Sequence, residues 1–216
     1  MKRHFTVIGL GLFGSTVASE LARLGHDVTG IDISPERVST LADHITHAVI
    51  ADARDEKALR ELGVQDADVV LISIGEDIEA NLLAALHVKA MGKPKLWVEA
   101  LNHSHHQILL KLGADQVVHP EHEMGLRLAH TMMYPEVMDY INIGDDQYIV
   151  ELHTSARLAG KTLLDLALAE NSLQCIMVKR AIRVIFPVPA EYAFEIDDQI
   201  ILLGTLSNLR KISKYL

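Results

Sequence analysis

Several features that define large classes of protein are missing from this sequence. Cys175 is the one cysteine among 216 residues, which excludes a disulfide within the chain and a zinc site built from cysteines. No apolar run approaches the roughly 20 residues that cross a membrane as a helix. The first residues, Met1 to His4, lead directly into an apolar segment, so we expect no signal peptide and a cytoplasmic location.

Basic residues are also scarce. The formal net charge is −9, and most of the excess negative charge lies in the first 140 residues. Proteins that bind nucleic acid usually carry a stripe of Lys and Arg, and the sequence shows none, so we expect no nucleic-acid partner. The hydrophobic fraction of 49% is too high for a disordered chain and is sufficient for one or two globular domains.

A G-x-G-x-x-G segment stands close to the start of the chain. An apolar run at residues 5–8 predicts a buried strand, and Gly9, Gly11 and Gly14 follow before an amphipathic helix. In such a turn the glycines permit a tight bend, approach to a diphosphate and close helix packing, in that order. Asp32 ends the next apolar run, where a carboxylate meets ribose hydroxyls. The pattern predicts a dinucleotide-type site; the alternative is a turn without ligand, with Asp32 as a capping or solvated acid.

Strand and helix patterns alternate regularly over the first 140 residues. Predicted strands start near residues 5, 27, 47, 69, 96 and 116, with a helical segment after each. This order predicts an α/β fold with a Rossmann-like doubly wound parallel sheet and ligands at the carboxyl ends of the strands. Residues 9–14, Asp32, residues 51–54 and residues 73–75 would then converge on one crevice.

The pattern changes near residue 140. Four short strands and two helices are predicted beyond it, the strands at residues 148–153, 175–179, 184–186 and 199–203 and the helices at 163–169 and 206–214. No second glycine motif occurs. We therefore predict two domains, a nucleotide-binding domain at 1–140 and a small α+β lobe at 141–216.

Catalytic residues are harder to identify. A dehydrogenase needs an acid–base residue near its nicotinamide, yet no Tyr-x-x-x-Lys pair occurs and the second domain is small for a substrate domain. His103 and His106 would share a helix face while His105 points elsewhere, but no H-E-x-x-H pattern completes a metal site, so we interpret these histidines as solvated or capping. A nucleotide sensor without catalytic residues is favoured; the alternative is a small NAD(P)-dependent oxidoreductase.

Taken together, the motifs resemble the cytosolic regulatory subunits of Ktr/Trk-type potassium uptake systems, which consist of an RCK (KTN) N-lobe and an RCK C-lobe. The resemblance covers nearly the whole chain, in segments 5–14, 30–32, 46–53, 72–75, 96–98, 112–115 and 119–125. It implies a homo-oligomer of dimers, closing as a tetramer or octamer ring beneath a membrane-embedded potassium-translocating subunit at the inner face of the cell membrane. ATP or ADP in the N-lobes would change the ring's shape and so open or close the pore.

The resemblance also implies roles for residues of a cofactor site. Gly9, Gly11 and Gly14 would hold phosphates, and Asp32 would hold the ribose. Glu121 would approach the γ-phosphate with a divalent cation across a dimer interface, as the one implied metal ligand. Asp52 and Ala53 would lie on the adenine side, and Gly75 along the crevice. The other positions of the implied site are Leu12, Phe13, Ile33, Arg54 and Ile74.

The chain departs from the family pattern at Leu12, where an arginine that contacts the terminal phosphates of ATP is usual. Leucine donates no hydrogen bond and balances no charge. We therefore expect weak discrimination between ATP and ADP, and other adenine nucleotides, including NAD(H), become candidates. Arg54 would partly replace the arginine or serve as an ordinary surface residue at a helix start. For a ligand of the second domain, such as the cyclic di-AMP known from some relatives, only Arg183, Ile185 and Pro187 are candidates.

Overall fold

The computed structural model describes residues 1–133, 137–168, 170–205 and 207–209. Contacts divide the chain into two compact units, Met1–His122 and Glu123–Leu216. The predicted domain limits, 1–140 and 141–216, stay a proposal; residue 140 lies inside a strand of the second unit's sheet. Within the described ranges, no helix combines the length and the apolar character that crossing a membrane requires.

The first unit is a six-stranded sheet in the order β3-β2-β1-β4-β5-β6, with every strand parallel to its neighbours. This confirms the predicted Rossmann-like doubly wound sheet. Its strands are β1 His4–Ile8, β2 Asp27–Asp32, β3 His47–Ile50, β4 Val69–Ile72, β5 Lys95–Glu99 and β6 Gln116–Val118. Its helices are α1 Leu12–Arg23, α2 Pro35–Leu41, α3 Glu56–Glu61, α4 Ile78–Met91, α5 His103–Leu112 and the first residues of α6 Pro120–Met133, with a 3-10 turn at Val64–Asp66.

The central strands of this sheet are buried on both faces. Val7 and Ile8 on β1, and Val70 and Ile72 on β4, expose almost no surface. Val7 belongs to one hydrophobic cluster and Ile8 to another, because successive side chains of a strand point to opposite faces. Continuous apolar runs are typical of parallel strands that helices cover on both sides.

Local sequence sets the ends of the helices around the sheet. Side-chain oxygens of Ser34, Asp55, Asp77 and Asn102 each accept a backbone N–H in the first turn of the helix that follows. α4 and α5 end at glycines with positive φ, a conformation that costs glycine little. These short-range signals explain why both helices have the bounds that the sequence predicts.

The second unit contains a five-stranded antiparallel sheet in the order β10-β9-β11-β8-β7. Its strands are β7 Val137–Gly144, β8 Gln147–His153, β9 Gln174–Arg180, β10 Arg183–Ile185 and β11 Gln199–Thr205. Buried side chains that include Val150, Val178, Phe194 and Ile200 form its own core. The unit is the small lobe that the sequence predicts after the parallel sheet.

Two details of this unit differ from the prediction. The sequence did not predict β7. In the structure β7 pairs with β8 through a two-residue hairpin turn, in which Asp145 and Asp146 both have positive φ. The helix predicted at residues 163–169 is a series of turns over 163–168, and Ala167 has a positive φ that no helix interior adopts. The helix predicted at 206–214 falls largely outside the described residues.

Leu109 and Leu110 on α5 provide a matched test of the first unit's core. Leu109 is completely buried, whereas Leu110 is 46% exposed. We expect Leu109→Ala to lower the free energy of unfolding by about 2–5 kcal/mol because it leaves a cavity, and Leu110→Ala to change it by about 0.5 kcal/mol. Urea denaturation followed by circular dichroism measures both values. Equal losses would contradict the packing of α5 described above.

Candidate nucleotide site

A cleft of about 450 Å³ opens beside the carboxyl ends of the parallel strands in the first unit. β1 lies between β2 and β4, and open α/β sheets bind ligands where the strand order reverses in this way. The predicted residues that line the cleft are Gly9, Gly11, Leu12, Phe13, Asp32, Ile33, Asp52, Ala53, Arg54, Ile74, Gly75 and Glu121. Gly14 does not line it. The fold thus gathers nearly all predicted positions in one place, while their roles toward a ligand stay predictions.

The three glycines of the turn meet different surroundings. Gly9 has φ +94°, and a Cβ placed on it would lie 2.2 Å from the carbonyl oxygen of Ser73. A Cβ on Gly14 would lie 2.0 Å from the carbonyl oxygen of Gly9, so this position keeps α1 against the turn rather than facing the cleft. A Cβ on Gly11 would meet nothing within 4 Å. Gly11 is therefore the position where the fold leaves the backbone open to a ligand.

The first turn of α1 presents unpaired backbone donors to the cleft. The helix begins at Leu12 after Gly11, and within the described structure no side chain caps it and no acid lies in its first turn. Free N–H groups and the positive end of the helix dipole favour an anion at such a terminus. The Leu12 side chain stands beside them at 89% exposure.

Asp32 holds the turn in place. Its carboxylate is buried; Oδ2 accepts the backbone N–H of Leu10 at 2.7 Å and Oδ1 accepts that of Ser34 at 2.8 Å. Arg37 Nη1 lies 3.6 Å from Oδ2. Asp32 is therefore neither a solvated acid nor a helix cap, since Ser34 caps α2. It braces the turn, and it also lines the cleft with lone pairs left over for ribose hydroxyls.

Asp52 and Arg54 form a pair at the end of β3. Arg54 donates from Nε and Nη2 to the Asp52 carboxylate at distances of 2.7 to 3.0 Å. Hydrogen bonds from Arg54 lower the pKa of Asp52, and the bond to Asp52 raises the pKa of Arg54. Because the guanidinium is already paired, Arg54 is a weak substitute for the arginine that position 12 lacks.

The opposite half of the cleft contains a buried carboxylate that the sequence interpretation did not include. Ser73 follows β4 and donates its hydroxyl to Glu99 Oε2 at 2.6 Å, and both residues line the cleft. Glu99 ends β5 as Asp32 ends β2, so the same pattern of an acid after an apolar strand could have identified it. Arg37 and Leu101 also line the cleft without having been predicted.

Glu121 is exposed and lines the cleft from the start of α6. Among the residues that the structure describes, no group of three or more His, Cys, Asp or Glu side chains is arranged to hold a metal ion. A cation at Glu121 would accordingly need ligands from the nucleotide or from another subunit, and its assignment as a metal ligand stays a prediction.

The histidines after β5 correct one interpretation. The rings of His103 and His106 stack with centroids 6.4 Å apart, as their predicted shared face requires, and His106 Nδ1 lies 2.8 Å from His119 Nε2. His105 is neither solvated nor a cap: it is buried, and its Nδ1 accepts the N–H of Leu101 at 3.3 Å. Burial, and secondly the charge of His119, lower the pKa of His105.

The sheet and the helices around it place the first unit in the Rossmann-like α/β class. Residues 5–120 match the TrkA-N domain family. The chain is 37% identical over 215 residues to the Ktr system potassium uptake protein C of Bacillus subtilis, covering 99% of this chain and 97% of that protein. It is 41% identical over 165 residues to the Ktr system potassium uptake protein A of the same organism, covering 76% and 74%. The chain therefore belongs to the TrkA-N family and is a homologue of the Ktr potassium uptake proteins, which confirms the resemblance drawn from its motifs.

A solved structure shows the same fold. The GsuK channel bound to NAD matches 99% of this chain with a TM-score of 0.57 and 20% sequence identity. This chain covers 38% of that longer protein. At this identity the likeness establishes the fold of the matched region.

Gly11 and Gly14 allow folding and binding to be separated. Gly14→Ala places a Cβ against the Gly9 carbonyl, so we expect it to lower the melting temperature strongly. Gly11→Ala points into open space, and with φ −64° it strains nothing, so we expect near wild-type stability and about tenfold or weaker ADP binding. Thermal unfolding and calorimetric titration with ADP measure the two effects. Wild-type ADP affinity in Gly11→Ala would mean that the diphosphate does not approach this turn.

Proposed function

We propose that this chain is the nucleotide-binding regulatory subunit of a potassium uptake system. It acts at the cytoplasmic face of the membrane, where it gates a membrane-embedded potassium-translocating partner. Homology over nearly its whole length to the Ktr potassium uptake proteins supports the link to potassium transport. The observation that carries the dependence on a nucleotide is the open backbone at Gly11 beside the uncapped start of α1.

An adenine nucleotide occupies the cleft in this proposal. Its phosphates lie against Gly9, Gly11 and the first turn of α1, and Asp32 accepts hydrogen bonds from the ribose. Ile33, Asp52, Ala53 and Arg54 border the adenine side. GsuK, which has the same fold, is known in a form bound to NAD, and this supports a nucleotide in the corresponding cleft. ATP, ADP and NAD(H) are the candidate ligands, and a divalent cation near Glu121 would accompany terminal phosphates.

Gating requires that a nucleotide bind one conformation of an assembly more tightly than the other. We propose that dimers of the chain assemble into a tetramer or octamer ring. Large apolar side chains stand exposed along α6 at Met124, Leu126, Leu128 and Met132, as expected of a helix that packs against a second subunit. Binding in the cleft would then alter the ring that contacts the potassium-translocating partner.

The rival function is a small NAD(P)-dependent oxidoreductase. The cleft offers such an enzyme no described histidine, tyrosine or lysine, the usual acid–base partners of hydride transfer, among its lining side chains.

Potassium uptake by proteoliposomes distinguishes the two functions. We expect vesicles that carry a Ktr-type membrane subunit to take up potassium faster with this chain than without it, and to respond when one adenine nucleotide replaces another. The Gly11→Ala variant, which we expect to keep the fold, should respond only at about tenfold or higher nucleotide concentration. Uptake that is indifferent to the chain, together with NADH oxidation by a panel of carbonyl compounds, would support the oxidoreductase instead.

Leu12 should leave the protein with little preference for ATP. A charge-assisted hydrogen bond contributes about 1.5–3 kcal/mol, and the exposed leucine supplies none to a γ-phosphate. We therefore expect ATP to bind no more than about threefold tighter than ADP, and Leu12→Arg to shift the preference toward ATP. Titrating ATP, ADP, AMP and NADH into both proteins measures this.

Leu12→Met is the matched control for that measurement, because it changes the side chain without adding charge. It should leave the ATP to ADP ratio at its wild-type value. A strong ATP preference in the wild type would contradict the prediction and would show that another group, such as Arg54 or a cation at Glu121, binds the third phosphate.

A further inference from the structure

Arg54 keeps hydrogen-bond donors in reserve in the lining of the cleft. Its Nε and Nη2 donate to the carboxylate of Asp52, whereas Nη1 has no hydrogen-bond partner among the described residues. The Arg54 side chain lines the cleft and is 46% exposed. Because each terminal nitrogen of a guanidinium carries two N–H groups, both groups of Nη1 and one of Nη2 remain available to a ligand.

Asp52 and α4 hold Arg54 in place. Asp52 Oδ1 accepts the backbone N–H of Arg54 at 2.9 Å, in addition to the bonds from the guanidinium. On α4, Nε2 of His87 lies 3.1 Å from the carbonyl oxygen of Arg54, so a proton on that nitrogen makes a hydrogen bond to it. The backbone and the guanidinium are thus both anchored. The free donors therefore lose little further conformational entropy when a ligand binds.

The strand order indicates which part of a nucleotide reaches these donors. The glycine turn follows β1, Asp32 ends β2 and Arg54 comes after β3, and these three strands lie side by side in that order. In a sheet of this type the phosphates lie at the glycine turn and the ribose meets the acid that ends the second strand. The base continues outward from the ribose, so it lies beside the end of β3.

The other side chains at this end of the cleft give a base no hydrogen bond to its edge. Ile33, Ala51 and Ala53 line the cleft there, and all three are apolar. Apolar side chains contact the face of a base, and the faces of adenine and guanine are alike. Discrimination between the two purines is therefore left to Asp52 and Arg54 among the side chains that line this end.

The two purines need different members of this pair. Guanine presents two acceptors on one edge, O6 and N7, which match the donors of an arginine, whereas adenine presents N7 beside a donating amino group. The amino group of adenine suits the carboxylate of Asp52, but both oxygens of that carboxylate already accept donors of Arg54. The unpaired N–H groups of Arg54 are therefore the freer partner, and they suit guanine.

We propose that the cleft binds guanine nucleotides as well as adenine nucleotides, with Arg54 donating from Nη1 and Nη2 to O6 and N7 of the guanine base. This inference rests on the proposed nucleotide-binding function and widens it. The regulator would then respond to the ratio of phosphorylated forms of either purine nucleotide.

Calorimetric titrations of GDP, IDP and ADP into the full-length protein test the inference. IDP, the diphosphate of inosine, keeps O6 and N7 and lacks the 2-amino group of guanine. We expect GDP and IDP to bind wild type within about threefold of ADP. Arg54→Met keeps the length of the side chain and removes its donors, so it should weaken GDP and IDP binding by about tenfold relative to ADP.

Two further variants separate hydrogen bonding from charge. Arg54→Lys keeps the positive charge but lacks the planar fork of donors, so it should lower the affinity for GDP relative to ADP nearly as much as Arg54→Met does. Arg60→Met is the matched control, because Arg60 on α3 pairs with Glu56 and lies outside the cleft lining. It makes the same change of net charge and should leave the GDP to ADP ratio at its wild-type value.

Failure of the inference and failure of the function beneath it give different results. If wild type binds none of the three diphosphates, the proposed nucleotide site is wrong. If ADP binds and GDP binds more than about tenfold more weakly, the nucleotide site stands and the binding of guanine is wrong. If GDP binds but IDP does not, a carboxylate recognises the 2-amino group, and the role of Arg54 is overturned. An unchanged GDP to ADP ratio in Arg54→Met overturns that role as well.

Discussion

The close approach of three backbone segments governs the rest of the first unit. The chain turns at Gly9 directly after β1. Gly14 of α1 packs against the carbonyl of Gly9, and the carbonyl of Ser73, which follows β4, packs against Gly9. No side chain fits at either glycine, so packing of the helix, pairing of β1 with β4 and the shape of the cleft floor depend on the same few atoms. A substitution at either glycine would therefore disturb the hydrophobic core and the cleft together.

Much of this was predictable, because the signals lie within a few residues of each other. Apolar runs gave the six parallel strands, and side-chain caps and terminal glycines gave α4 and α5. The turns at 163–168 resemble a helix in their leucine content, but their backbone hydrogen bonds span three residues and Ala167 has a positive φ. Glu99 could have been identified as an acid that ends an apolar strand, but its contacts could not, because Ser73 and Gly75 are far from it in the sequence.

The cleft combines a general scaffold with an individual lining. The glycine turn and Asp32 are parts that any nucleotide with a ribose and a diphosphate could use. Leu12 and Glu99 line the cleft outside the glycine turn and Asp32, and neither carries positive charge. In the proposed function, the contacts that distinguish one nucleotide from another would therefore lie outside the contacts that hold the ribose and the diphosphate.

The two backbone hydrogen bonds accepted by Asp32 have a consequence for energetics. They fix Leu10 and Ser34 before any ligand arrives, so the conformational entropy of ordering this turn is lost during folding and not during binding. A ligand that enters need not organise its own site. In the proposed function, most of the interaction free energy would then remain for shifting the balance between two conformations of the protein, as a nucleotide-responsive regulator requires.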